Sequence, residues 1–65
     1  MEEYTNSRIR ELIAEHVHSQ RDRRILELRL IDGLTFEQLS EVMELSDSQV
    51  KRIVYKLQEK LFKQL

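Results

Sequence analysis

From Ser46 onward the chain reads Ser-Asp-Ser-Gln-Val-Lys-Arg-Ile-Val-Tyr-Lys-Leu-Gln-Glu-Lys-Leu-Phe-Lys-Gln-Leu. Val50, Ile53, Val54, Leu57 and Leu61 recur at steps of three and four, the apolar stripe of a helix. At about 100° per residue, the opposite face carries Ser48, Arg52, Tyr55 and Glu59. Gln49, Lys56 and Lys63 lie on one shoulder and Lys51 on the other. Glu59 apart, these side chains suit a DNA groove. Arginine forks onto guanine, glutamine pairs with adenine, serine adapts, and lysine neutralises phosphate. The N-terminus of such a helix adds backbone N–H groups for an anion. A basic face on a surface helix is by default only a solvated face. Its weight depends on what precedes it.

Other chemistry is poorly supported. His16-Val17-His18 suggests a metal pair, yet residues i and i+2 point about 200° apart on a helix. His16 falls on an apolar stripe and reads as a packed or interface histidine, with His18 a polar residue at a helix end. There is no cysteine, hence no thiolate ligand, thiol nucleophile or disulfide. Glu41, Glu44 and Asp47 straddle a turn and read as a solvated acidic rim. No nucleophile–base pair, glycine-rich phosphate loop or carboxylate cluster stands out. The expectation is no enzyme, no metal and no cofactor.

The elements that position the basic face follow from caps and periodicity. A first helix is expected over 7–17, with Ile9, Leu12, Ile13, His16 and Val17 on one stripe and Thr5, Asn6 or Ser7 as its cap. Ser19 caps a second over 20–32, with Asp22 in its first turn. Ile25, Leu26, Leu28, Leu30 and Ile31 spread over a wide arc, which suits a central helix with neighbours on more than one side. Gly33 ends it by taking a left-handed turn. Thr35 and Gln38 form a capping box for a third helix over 36–44, with Phe36, Leu39, Val42 and Met43 facing inward. Ser46 and Gln49 form a second box for the helix over 47–63. A short capped helix, a tight turn and a longer capped helix make the grammar of a helix-turn-helix. The fold expected is all-α, a four-helix domain, with the first helix packed across the other three as a brace. Residues 1–6 read as a flexible lead-in and 7–65 as one domain.

Composition bounds the rest. Sixty-five residues with one Gly and no Pro leave room for one small domain with few chain breakers. No apolar run approaches the roughly 20 residues of a membrane span, and the acidic start Met1-Glu2-Glu3-Tyr4 is unlike a signal peptide. A cytoplasmic, nucleoid-associated protein is expected. The net charge is −1, which excludes indiscriminate coating of nucleic acid. The charge is unevenly placed, however. Residues 1–45 hold 6 basic and 10 acidic groups, and residues 46–65 hold 5 and 2. The excess of +3 sits on the last helix.

The run Arg23-Arg24-Ile25-Leu26-Glu27-Leu28-Arg29-Leu30-Ile31-Asp32-Gly33-Leu34-Thr35-Phe36-Glu37-Gln38-Leu39 resembles the fourth conserved region of bacterial RNA polymerase sigma factors. Ser40 to Lys51 and the tail Lys56-Leu57-Gln58-Glu59-Lys60-Leu61 continue the likeness, which covers roughly Ser19 to Leu65. A looser form of the pattern is shared with the DNA-binding domains of LuxR-type response regulators. The chain is also similar to small stand-alone sigma-region-like proteins of phages and mobile elements in Gram-positive bacteria. The resemblance implies a domain that binds the −35 promoter element in the major groove of double-stranded DNA. It aligns Arg29 with an arginine that contacts the DNA backbone. It places Thr35 and Glu37 at the start of a helix that touches phosphate. Asp47, Ser48 and Gln49 take the first reading positions, Arg52 the next turn, and Lys51 and Lys56 basic backbone-contacting positions. Two departures stand out. Glu44 occupies a turn position often held by glycine, which predicts a slightly different turn. Asp47 stands where arginine is frequent, and an acid there favours the helix end but repels phosphate, so an altered sequence preference is expected.

A second reading makes the domain a protein-interaction module, a homodimer or an adaptor docking on RNA polymerase, using the first helix and a Tyr55/Phe62 face. Tyr55 and Phe62 lie seven residues apart, beside the core stripe, and the plainer expectation is that both pack under the first helix.

Overall fold

Four short hydroxyl side chains start four helices. The computed structural model describes residues 5–63. In it the hydroxyls of Thr5, Ser19, Thr35 and Ser46 accept the backbone N–H groups of Arg8, Asp22, Gln38 and Gln49 at 3.1, 3.3, 3.1 and 3.1 Å. Behind them run α1 (Asn6–His16), α2 (Gln20–Leu30), α3 (Phe36–Met43) and α4 (Asp47–Phe62). Each such cap satisfies an otherwise orphaned donor and contributes about 1 kcal/mol. Among the described residues the fold is all-helical.

The boundaries differ from expectation by one or two residues. Because Thr5 is the cap, α1 starts at Asn6 and ends at His16, with Val17 already extended. The rest of the expected lead-in, residues 1–4, lies outside the described residues, as do Gln64 and Leu65. At its far end α2 stops two residues early. The N–H groups of Ile31 and Asp32 both turn to the Glu27 carbonyl, at 3.0 and 3.2 Å, and Leu34 N–H closes onto the Leu28 carbonyl at 3.0 Å. Gly33 follows with φ 77°. A Cβ there would meet nothing within 4 Å, so the backbone angle alone calls for glycine.

α2 divides the core in two. On one side Leu26 joins Ile9, Leu12, Ile13, Val17 and Leu61, with Leu57 and Phe62 packed against them. On the other, Ile25 joins Leu39, Val50 and Val54, with Phe36, Met43, Leu45 and Ile53 around them. Adjacent residues of one helix therefore serve opposite clusters, which is why its apolar arc is wide. α4 runs through both clusters, Val50 and Val54 in one and Leu61 in the other, and so links them.

Two packing expectations need correcting. Val42 does not face inward and is 50% exposed. Phe36, Leu39 and Met43 share the inner side of this two-turn helix, and Val42 falls roughly 100° behind Met43. Leu45, beyond the turn, packs against the cluster instead. The brace is also narrower than expected. Among the described residues α1 packs on α2 and α4 but not on α3. It is fastened at its C-terminal end by Arg23, whose Nη2 donates to the Ala14 carbonyl at 2.9 Å and whose Nε donates to the Val17 carbonyl. A cation placed on the last carbonyls of a helix also meets the negative end of its dipole. None of the described helices is long and apolar enough to cross a membrane.

Candidate nucleic-acid interface

The angle between α3 and α4 is set by the turn Glu44-Leu45. Glu44 adopts φ 58° and ψ 43°, the left-handed conformation, despite its side chain. Its N–H and that of Leu45, the latter at 3.0 Å, both reach back to the Ser40 carbonyl. The usual glycine-type reversal is therefore kept without glycine, at a cost of about 1–2 kcal/mol. Leu45 packs into the core beside Met43, and Ser46 begins α4 directly.

α4 then presents its polar face outward. Val50 and Val54 are fully buried, whereas Asp47, Ser48, Gln49, Lys51, Arg52, Tyr55, Lys56 and Glu59 are exposed. Ser48, Arg52 and Glu59 stand on the face opposite the core, as their spacing requires, and Tyr55 is exposed on the flank that meets Phe36 of α3. At the near end of α3, Thr35 and Glu37 are also exposed, and the Gln38 side-chain oxygen accepts the Thr35 N–H at 2.9 Å. The interface therefore combines one exposed helix face with the capped start of the helix before it.

Gln49 has a second task. Its side-chain oxygen accepts the Ser46 N–H at 3.1 Å and the Ser46 hydroxyl at 3.2 Å. Pairing with adenine needs that same oxygen, so base reading by Gln49 requires opening the capping box.

Arg29 is bound inside the domain rather than extended from it. One guanidinium nitrogen donates to the Leu34 carbonyl at 2.8 Å, and the guanidinium carbon sits 4.3 Å from the centre of the Phe36 ring. The same ring takes Lys51 Nζ at 5.9 Å and the edge of Tyr55, centroid to centroid 5.6 Å at 69°. Tyr55 and Phe62 consequently part company. Phe62 packs against the α1 cluster as expected, but Tyr55 rests on α3 and is 59% exposed. Seven residues place both on one side of α4, yet they are about 10 Å apart along the axis and meet different neighbours.

Next to this face lies a shallow groove of about 290 Å³ lined by Arg21, Asp22, Ile53, Lys56, Leu57 and Lys60. Arg21 is partly neutralised there, because its Nε and Nη2 both donate to Asp22, at 3.1 and 3.0 Å. His16 is half-buried at the edge of the α1 stripe, with Nε2 3.5 Å from Glu15. Among the described residues no group of three or more His, Cys, Asp or Glu is placed to hold a metal ion.

The sequence reading missed Arg23, Phe36 as a stacking platform, and the groove cations Arg21 and Lys60. Only the last left a local trace, since Lys56 and Lys60 are four residues apart on one helix face. Arg23 and Phe36 act across elements, where spacing along the chain carries no signal.

A family model described as sigma-70, region 4, matches residues 19–63. No curated protein and no solved structure matches the chain. The matched stretch contains the whole of α2, α3 and α4, and α1 lies before it.

Proposed function

The chain belongs to the sigma-70 region 4 family of DNA-binding helix-turn-helix domains, and from that premise we propose that it is a sequence-specific transcription regulator reading the major groove with α4. The observation that carries this reading is the exposed face of α4. It holds Ser48, Arg52 and Lys56 over a buried Val50–Val54 floor, behind a turn that keeps the left-handed geometry at Glu44. Arg52 is the base reader, forking onto guanine. Lys51 and Lys56 neutralise phosphate, and the capped N-terminus of α3, with Thr35, approaches the backbone on the other side of the groove. Asp47 at the first position turns the domain away from guanine and toward bases with an amino donor, cytosine above all.

Region 4 domains bind DNA and interact with RNA polymerase. With a net charge of −1, the isolated domain holds DNA modestly, and docking on polymerase or pairing with a second copy supplies the remaining affinity. The place of action is the cytoplasm, at the nucleoid. Two-fold symmetry of the bound site would mark the dimer, and a single half-site would mark the polymerase-held monomer.

The test is selection of bound duplexes from a random pool, followed by titrations of the winning site against salt. Arg52→Ala is expected to flatten the preference at one or two base pairs. Lys56→Ala is expected to weaken all duplexes alike and to reduce the salt slope by about one. Retention of full affinity and preference by the Arg52→Ala, Lys56→Ala double variant at low salt would sink the reading.

A further inference from the structure

Phe36 sits at the crossing point of three elements. From α2 comes Arg29, 4.3 Å above its ring. From α4 comes the Tyr55 ring, edge-on at 5.6 Å and 69°. Lys51 approaches the same ring at 5.9 Å. A guanidinium over an aromatic face is attracted by the ring's negative charge, and an edge-on ring pair is the favoured aromatic geometry. The three side chains thus form one stack, Arg29 on Phe36 on Tyr55. Its inner end is pinned by the Leu34 carbonyl, 2.8 Å from Arg29 Nη1. Its outer end, Tyr55, stays 59% exposed. An exposed aromatic normally samples several rotamers, and the stack selects one of them.

Tyr55 is also placed where a held phenol is useful. It follows Asp47 by eight residues, about 12 Å along the axis, and the major groove is about 12 Å wide. A helix that enters the groove with Asp47 and Ser48 therefore brings Tyr55 to the groove wall, among phosphates and sugars.

We infer that Arg29, Phe36 and Tyr55 form a positioning stack that holds the Tyr55 hydroxyl as a hydrogen-bond donor to a DNA phosphate, and that Arg29 acts through Phe36 rather than on the DNA. This rests on the reading of α4 as the helix that enters the groove. Tyr55 is the contacting residue, and Arg29 and Phe36 are positioning residues. An uncharged donor adds affinity without displacing a counterion, so its loss leaves the salt slope unchanged. A phosphate-bound arginine contributes about one unit to that slope.

The experiment measures affinity against salt for the intact chain on its selected duplex and on a scrambled one, with Tyr55→Phe, Arg29→Gln and the double variant. Tyr55→Phe is expected to bind both duplexes about fivefold more weakly with the slope unchanged. Arg29→Gln should show a similar loss, again at constant slope, and the loss should vanish in the Tyr55→Phe background. Phe36→Leu, checked for folding by thermal melting, should shift the Tyr55 ring resonances, which are simple to assign in a chain with two tyrosines. A slope reduced by about one in Arg29→Gln, additive losses, or wild-type affinity in Tyr55→Phe would overturn the proposal. Failure of the unsubstituted chain to bind any duplex at low salt would overturn the parent reading first, and is told apart because no variant is needed to see it.

Discussion

Arg23 reaches back nine residues to Ala14, its Nη2 donating to that carbonyl at 2.9 Å while its Nε donates to Val17. Beside the apolar packing of α1 on α2 and α4, this side chain ties α1, which precedes the stretch matched by the family, to the helix-turn-helix body by hydrogen bonds. It answers two of the carbonyls at the end of α1 that the helix does not satisfy internally. Arg23→Gln is expected to lower stability by about 1–2 kcal/mol. The loss should be uneven, with the amides of α1 exchanging with solvent well before those of α3 and α4. Uniform acceleration across all four helices, or none, would contradict the fastening role.

Glu44 carries the turn between α3 and α4 at φ 58°. A side chain in that conformation is disfavoured by about 1–2 kcal/mol, partly offset by the chain entropy that glycine loses on folding. Glu44→Gly should therefore stabilise the domain by about 0.5–1 kcal/mol, read as a higher melting temperature. It also removes an acid from the rim of the interface, so DNA affinity should rise slightly. A lower melting temperature would mean that the carboxylate makes a contribution beyond its backbone.

The turn shows what the chain reveals locally and what it does not. The caps at Thr35 and Ser46 and the stripes they introduce are i, i+3 and i, i+4 relations, so they can be read directly. Glu44 could be placed in the turn, but its left-handed angle only follows once Ser40 is seen accepting two N–H groups. The family resemblance assigns Arg29 to the DNA backbone, because its position in the family pattern is informative. Its contacts within the domain, with Leu34 and Phe36, depend on how α2 crosses α3. Val42 departs from the expected inner side for a related reason. In a two-turn helix the inner side is narrow, and the neighbours decide which of two adjacent apolar residues occupies it.

Gln49 shows two assignments competing for one oxygen. Its contacts with Ser46 assign it to the helix start. Gln49→Ala is expected to cost about 0.5–1 kcal/mol of stability and to leave the base preference of the selected site unchanged. Loss of preference for adenine at a single position, with stability intact, would reverse the assignment and make Gln49 a reader.

The uneven charge sets the size of the salt effect. Five basic residues lie from Ser46 onward, against two acids, and Lys51, Arg52, Lys56, Lys60 and Lys63 are all exposed. By helical spacing Lys60 lies nearer the core stripe than Lys51, Arg52, Lys56 and Lys63 do, which leaves about three or four cations for phosphates. Each neutralised phosphate contributes about −0.9 to the slope of log affinity against log salt, so a slope of about −3 to −4 is expected. Glu59 stands on the same face and opposes the cations there. Glu59→Gln should raise affinity for every duplex alike, and Glu59→Lys should raise it further and steepen the slope by about one. A slope steeper than about −6 would require phosphate contacts outside α4. The Arg21 and Arg24 side of α2 would then be the first surface to test by charge reversal.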